Sequence, residues 1–475
     1  MIRTFFIETV GCQMNVLDSE LVASALTDAG YKPAPELKKA DIVLFNTCSV
    51  RKHAEDKIYS ALGRLKHVKT HRPNAVIGVI GCMAQQEQRK IFQRAPHVDL
   101  IIGPGRLGDL LSALERIEIE QPTADLRTPF MAVSDNRRGG KHETIKASFA
   151  PYNPDRKIET SEAPFQAMVR IMYGCNEFCS YCVVPFARGP EQSRPADDIV
   201  EEVRRLVDHG CLEVTLLGQT VNGYADPTSN GSFGLPELLA RLNDINGIQR
   251  IRFVTNHPRR FSDSLMEAVR DLEHVAPYLH IPAQSGSDRM LKRMNRRYTS
   301  AQYRDMLDRI RDVVPEAAVT SDFIVGFSGE TEEEFQETVE LVRYGRFKNS
   351  FIFKYSEREG TKAAELYDDD VPYPVKQRRN NELLAVQDEV SLASNQSFVG
   401  KRVAVLVTGP SKIASRNIGD GEYAETIQLT GRTSCDRIVV FDGPLSWTGQ
   451  IIDVEIDKAS TLTLFGRRVS KKSAA

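Results

Sequence analysis

Short apolar runs alternate with longer amphipathic ones through most of this chain, and that alternation restricts its fold more than any other feature. In residues 1–119 the apolar runs "TFFIETVGC", "ADIVLFNTC", "AVIGVIGC" and "VDLIIGPGR" read as strands. Between them "VLDSELVASALTDAG", "AEDKIYSALGRLKHV" and "QEQRKIFQRA" read as helices. Strands separated by helices predict a doubly wound parallel sheet. Residues 120–162 are polar and Pro-containing, and read as a linker. Alternation resumes over 163–395 with "QAMVRIMYG", "LEVTLLGQ", "RIRFVTN", "YLHIPAQ", "AVTSDFIVGF" and "SFIFKYS". Six such units predict a partial (β/α)6 barrel with function at the carboxyl ends of its strands. Residues 396–470 change to short β-rich runs split by Gly, Asn and Pro, which predicts a small all-β barrel or sandwich. The fold class is therefore multidomain α/β with a C-terminal β module.

The length of 475 residues suits about three domains of ~150 residues. A net charge of −2 gives no whole-chain argument for or against nucleic acid, so any basic surface is local. The N-terminus lacks a signal-peptide pattern, and no run of 18 apolar residues predicts a membrane span. The expected compartment is the cytoplasm. There eight cysteines point to metal or catalysis rather than disulfides.

Six of those cysteines fall into two sets. Cys12, Cys48 and Cys82 each close an apolar strand, and a parallel sheet would bring all three to one carboxyl edge, where such sheets bind ligands. Cys175, Cys179 and Cys182 lie in "GCNEFCSYC", directly after the first barrel strand. Three thiolates on a four-iron cube leave one iron open to a reactant. The competing reading is zinc, with His209 or Cys211 as a distant fourth ligand. Cys211 and Cys435 otherwise read as buried small hydrophobes.

The C-x3-C-x2-C triplet, with Phe178 and Tyr181 between its cysteines, resembles the radical S-adenosylmethionine enzymes. Taken with "VGCQMNVLDSE", "NTCSVRKHAEDKIYSALGRLK", "GCMAQQ", "LLGQTVNGY", "IPAQSGSDRMLKRMNRRYT" and "DFIVGFSGETEEEF", the chain is similar over essentially its whole length to the methylthiotransferases. Within them it resembles the branch that acts on N6-dimethylallyladenosine next to the anticodon of tRNA. The resemblance implies an N-terminal methylthiotransferase domain, a radical core and a C-terminal RNA-holding TRAM domain. It also implies two [4Fe-4S] clusters. Cys12, Cys48 and Cys82 would hold an auxiliary cluster, which binds or donates sulfur. Cys175, Cys179 and Cys182 would hold the cluster whose open iron takes S-adenosylmethionine. Two departures stand out: a long stretch around 130–160, and Tyr173 where a basic residue often sits.

Further candidates follow. Tyr181 would pack on the adenine of S-adenosylmethionine. Ile324 and Val325, on the fifth barrel strand, could do the same. Gln219, Asn222, Gln284 and Ser285 follow the second and fourth strands and could line the barrel mouth or merely cap loops. Arg289, Lys292, Arg293, Arg296 and Arg297 form a basic run suited to RNA. From residue 396 on, eleven Lys/Arg face eight Asp/Glu, and Arg467, Arg468, Lys471 and Lys472 end the module. The expected reaction adds a methylthio group at C2 of the prenylated adenosine 37. Alternative substrates are N6-threonylcarbamoyladenosine or a ribosomal-protein Asp. A non-catalytic iron–sulfur RNA-binding redox sensor is the other-class alternative. Expected partners are the prenylated tRNA and an electron donor such as flavodoxin or ferredoxin. The chain is expected to be a monomer, with no membrane association.

Overall fold

A computed structural model describes residues 3–48, 52–120, 129–134, 163–417 and 425–469. Among these, the N-terminal part forms a six-stranded sheet of β1 (Thr4–Val10), β2 (Lys32–Pro33), β3 (Ile42–Thr47), β4 (Val76–Gly81), β5 (Leu100–Ile102) and β6 (Phe130–Ala132). Its order is β2-β1-β3-β4-β5-β6 and every pairing is parallel. β3 and β4 are buried along their whole length, as expected of strands covered on both faces. Their side chains alternate between two cores. Ile42, Leu44, Val76 and Ile80 pack under α1 (Gln13–Asp28) and α5 (Leu110–Glu120). Val43, Phe45, Ile77 and Val79 pack under α2 (Lys52–His71), α3 (Cys82–Glu87) and α4 (Arg89–Arg94).

Two details depart from the sequence reading. β6 lies inside the stretch read as linker and joins the sheet at β5. The helix expected over "QEQRKIFQRA" is two helices, because Gln88 takes a left-handed φ of 46° between α3 and α4. α3 begins at Cys82 itself, with no loop after β4.

The middle part is the expected incomplete barrel. Its parallel strands are β7 (Gln166–Arg170), β10 (Glu213–Leu217), β11 (Arg250–Phe253), β12 (Tyr278–His280), β13 (Ala318–Val325) and β14 (Asn349–Lys354). β7, β10 and β11 form one ladder and β12, β13 and β14 another. A parallel bridge from Ile251 to Val275 and bonds from Asn256 to the His280 carbonyl join them. Val169, Val214, Leu216, Ile251, Phe253 and Phe323 face the surrounding helices. Met168, Leu217 and Val254 face inward and meet Met14, Leu17 and Leu21 of α1. These three lie at i, i+3 and i+7, one stripe of a helix. One helix of the first domain therefore fills part of the barrel of the second.

The C-terminal part is a closed barrel of β15 (Arg402–Pro410), β16 (Ile427–Thr433), β17 (Ile438–Gly443), β19 (Thr463–Arg468) and β18 (Ile451–Ala459), in that order. Val405, Val407, Leu429, Val439, Phe441, Val454, Ile456 and Leu464 fill it. It docks on the amino-terminal ends of the middle strands, away from their carboxyl edge. Arg250 and Arg252 hold Glu213 at 3.0 Å and donate to the carbonyls of Arg432 and Thr433. Lys348 pairs with Asp436 at 2.9 Å. Burial lowers Lys348 to about 8 despite this partner. Removing one member of a buried charge group leaves the others unpaired, at about 3–5 kcal/mol. Asp436→Ala is therefore expected to loosen the docked module. The measurement is trypsin cleavage near residues 396–402, which should accelerate while the isolated barrel stays folded by circular dichroism. Wild-type cleavage rates would show that this charge group does not hold the interface.

Candidate active site

The first cysteine set is where the sheet topology predicts. β1, β3 and β4 are neighbours about 4.8 Å apart, and each ends in a cysteine at the same edge. Cys12 caps α1 and its thiol donates to Asn15 Oδ1 at 3.3 Å. Behind the thiols lies a fully buried amide pair. Asn15 Nδ2 donates to Asn46 Oδ1 at 2.9 Å, and Asn46 Nδ2 donates to the Asn15 carbonyl at 2.8 Å. Gly81, just before Cys82, holds φ +91°, and a Cβ there would sit 2.3 Å from Asn46 Oδ1. Only glycine fits that corner. The Cys12 thiol is lowered to about 5, foremost by its hydrogen bond with Cys48 and further by the charge of Arg188. Burial raises Cys82, and Arg188 opposes that rise.

The second set sits in a loop closed at its base by β8 (Met172–Tyr173) pairing with β9 (Gln192–Ser193). Gly174 opens it at φ +72°; a Cβ would come within 2.0 Å of the Pro190 carbonyl. Thr220, after β10, lies 3.3 Å from Cys175 Sγ. Ser180 is held from both sides. Its N–H donates to the Met294 carbonyl, its hydroxyl donates to the Arg293 carbonyl, and its own carbonyl accepts from Ala363. Asn295 donates to the Phe178 carbonyl at 2.8 Å. Glu177 is anchored by Arg260 at 2.8 Å, and Arg260 also holds Glu191 at 2.8 Å. α6 (Val184–Arg188) then leads away from Cys182.

Arg296 is no surface residue for RNA. It is 5% exposed and donates to Cys179 Sγ at 3.2 Å, the Tyr298 hydroxyl at 3.0 Å and the Pro282 carbonyl at 2.9 Å. Arg293 lies over the Tyr367 ring at 4.0 Å, and Arg289 pairs with Glu334 at 2.5 Å. Arg296 of the basic run is thus part of the scaffold of the cysteine loop. Arg289, Lys292 and Arg297 stay exposed, Arg289 in its ion pair with Glu334. The sequence shows a charge run; it does not show that the chain folds back under Cys179.

The candidate mouth residues separate in the structure. Tyr181 lies edge-on to Phe327 at 6.5 Å and joins Ile324, Met290 and Met294 in one apolar wall. Val325 points the other way, into the helix-facing core, because neighbouring strand residues face opposite sides. Of that pair, Ile324 alone shares the wall with Tyr181. Gln219 Oε1 is buried with no hydrogen-bond partner among the described residues. Asn222 spends its amide on the His257 backbone, at 2.9 and 2.8 Å. Ser285 lies 3.3 Å from the Thr338 hydroxyl, inside the fold. Gln284 holds a left-handed φ of 74° and bridges to β13. Arg467 is exposed and Arg468 lies over the Trp447 ring at 4.7 Å. Lys471 and Lys472 fall outside the described residues.

The donor sets fit iron–sulfur clusters. Each offers three thiols and no imidazole or carboxylate, the ligand chemistry of such clusters. The zinc alternative fails on topology. Cys211 precedes β10, at the opposite end of the barrel from Cys175, and its thiol donates to the Glu213 carbonyl in the core. His209 is exposed at the end of the preceding helix, bonded to the Arg205 carbonyl.

Sequence reasoning missed the contact that joins the two sets. Asp18 of α1 is fully buried and paired with Arg188 at 2.8 Å and Arg170 at 3.3 Å. Tyr173 lies between these arginines, with both guanidiniums within 6 Å of its ring. The signal was present as "MNVLDSEL", where Met14, Leu17, Asp18 and Leu21 share one stripe.

Comparison with known proteins agrees with this geometry. Residues 4–103 match an uncharacterized protein family, UPF0004, residues 169–342 the radical SAM superfamily and residues 396–469 the TRAM domain. The tRNA-2-methylthio-N(6)-dimethylallyladenosine synthase of Rhodopirellula baltica is 52% identical over 98% of this chain and 96% of its own length. The enzymes of that name from Moorella thermoacetica and an Acidovorax species are 40% and 43% identical, each with near-complete coverage of both chains. A solved radical S-adenosylmethionine methyltransferase, TsrM from Kitasatospora setae, shares the fold with a TM-score of 0.54 and 15% identity over 77% of this chain and 74% of its own. Two thiol triads on a parallel sheet and a partial barrel, with a closed β module behind, are thus the frame of a radical S-adenosylmethionine methylthiotransferase, and the chain belongs to the tRNA-2-methylthio-N6-dimethylallyladenosine synthase family.

Proposed function

We propose that this chain carries two [4Fe-4S] clusters, one on each cysteine triad, and methylthiolates C2 of adenosine 37 in tRNA bearing an N6-dimethylallyl group. The observation that carries this reading is the insertion of α1 into the barrel, which sets the edge bearing Cys12, Cys48 and Cys82 against the mouth bearing Cys175, Cys179 and Cys182. When bound, such clusters with S-adenosylmethionine supply one-electron hydrogen abstraction, a sulfur source and a methyl group. The chain's residues bind and orient. The Tyr181, Phe327 and Ile324 wall offers an apolar face to an aromatic base, and the buried Gln219 Oε1 offers an acceptor to its amino group. The Arg296 guanidinium donates to the Cys179 sulfur at 3.2 Å and holds that side of the loop. The thiols lose their protons on loading, so loading releases protons and is favoured by rising pH. The exposed Arg467 and Arg468 suit RNA phosphates, and Lys471 and Lys472 continue that run in the sequence. Cytoplasmic residence, a monomeric state and reduction by a flavodoxin- or ferredoxin-like donor complete the reading. Among the described residues no helix is long and apolar enough to cross a membrane.

Four measurements test it. Anaerobic reconstitution should give about eight irons per chain, and Cys175→Ala, Cys179→Ala, Cys182→Ala about four. The Cys12→Ala, Cys48→Ala, Cys82→Ala variant should still cleave S-adenosylmethionine yet form no methylthio nucleoside. Methylthio product at the wild-type rate would remove the first triad from sulfur delivery, and one zinc per triad would overturn the assignment. Arg296→Met should weaken cluster retention or cleavage about 10–100-fold, as loss of an outer-shell partner does, while Arg296→Lys recovers part of it. Equal behaviour of Arg296→Met and wild type would make Arg296 a purely structural residue. Arg467→Glu with Arg468→Glu should weaken tRNA binding and flatten its salt dependence by about one unit per lost phosphate contact. Unchanged affinity and slope would move the RNA anchor elsewhere.

A further inference from the structure

The geometry points to Arg188 as a positioning residue that sets a fixed positive charge and a spare N–H donor beside the cluster of the first triad, and so raises that cluster's reduction potential. This rests on the reading that Cys12, Cys48 and Cys82 hold a cluster. Arg188 belongs to the other domain. It ends α6, the helix that leaves Cys182, and α6 packs against α3, the helix that starts at Cys82. One short helix therefore runs between the two cysteine sets.

The side chain is 3% exposed. Its Nη2 donates to Asp18 Oδ2 at 2.8 Å. Its Nη1 is buried and makes no hydrogen bond of proper geometry among the described residues. A buried guanidinium nitrogen without an acceptor costs free energy unless something accepts from it. The groups whose charge it meets include Cys82 and Cys12 on one side and Asp18 and the Tyr173 ring on the other. Asp18 is already shared with Arg170, so one carboxylate serves two guanidiniums and a net positive charge remains next to the thiols. Sulfur is the acceptor in reach. A reduced cluster carries one more negative charge than an oxidised one. A buried cation beside it therefore stabilises the reduced state, and hydrogen bonds and charge near the sulfurs tune iron–sulfur potentials. Asp18 works in the opposite sense, because its carboxylate opposes added negative charge.

The test uses the full chain with Cys175→Ala, Cys179→Ala and Cys182→Ala, so that only the first triad holds iron. Redox titration followed by electron paramagnetic resonance reads its potential. Arg188→Met should shift the potential to more negative values, and Arg188→Lys should shift it less. Asp18→Asn should shift it to more positive values. A merely structural role predicts the same sign for Asp18→Asn and Arg188→Met, because each loosens the same interface. Arg188→Met can lose its iron by leaving Asp18 underpaired, so Asp18→Asn is also compared with Asp18→Asn, Arg188→Met, where that carboxylate is gone. The double variant should lie at the more negative potential. Equal potentials in those two, with about four irons retained in each, overturn the proposal, as does a shared sign for the two single variants. A parent chain that takes up no iron instead overturns the two-cluster reading on which the proposal rests.

Discussion

Asp18 is a carboxylate with 0% exposure, held by two guanidiniums that belong to another domain. A buried charge is tolerated only when it is paired and bonded, and removing one partner costs about 3–5 kcal/mol. That asymmetry makes the group a latch. The first domain cannot slide along the barrel without leaving a charge stranded. The apolar stripe of Met14, Leu17 and Leu21 against Met168, Leu217 and Val254 adds area but little registry. The ion group fixes the depth and rotation of α1, and with it the position of Cys12 at the helix start. Both thiol sets then keep their mutual placement through one helix and two arginines.

α1 is consequently covered on two sides. Val22 and Leu26 pack on its own sheet, while Met14, Leu17, Asp18 and Leu21 enter the barrel. Each thiol set has, in turn, a polar backing of its own. Asn15 and Asn46 bond each other behind the first, and Asn15 Oδ1 also accepts from Cys12. Arg296, Thr220, the Asn295 side chain and the carbonyls of Arg293 and Met294 hold the second. These supports come from distant segments, so each cysteine's environment is assembled only when the whole unit is folded. The C-terminal barrel joins at the far edge, through Glu213, Arg250, Arg252, Lys348 and Asp436. The strands between the two edges run from three residues in β12 to eight in β13, or roughly 10–26 Å at ~3.3 Å per residue. An RNA held at that module has to reach along the barrel to present a base at the mouth.

Much of this was legible. The three-part division, the six barrel strands and the edge position of Cys12, Cys48 and Cys82 follow from period-2 apolar runs and from the rule that parallel strands end on one side. The glycines before Cys82 and Cys175 were not singled out in the sequence; their φ of +91° and +72°, with no room for a Cβ, became plain only in the fold. What misled was Arg296 within the charge run at 289–297. Charge in sequence says nothing about which arginine turns inward, and Arg296 does so because Cys179, Tyr298 and the Pro282 carbonyl offer it acceptors. Val325 was paired with Ile324 by adjacency, although a strand sends neighbours to opposite faces.

The sequence by itself determined the two cysteine sets, the order of domains and the local elements, because thiol chemistry, strand alternation and helix periodicity are written within short windows. Only the tertiary structure decided which charges are buried, which polar atoms lack partners and how the two thiol sets face each other. Those depend on contacts between residues such as Asp18 and Arg188, 170 positions apart. Burial turns an ordinary surface charge into a fixed constraint, and burial is a property of the folded whole.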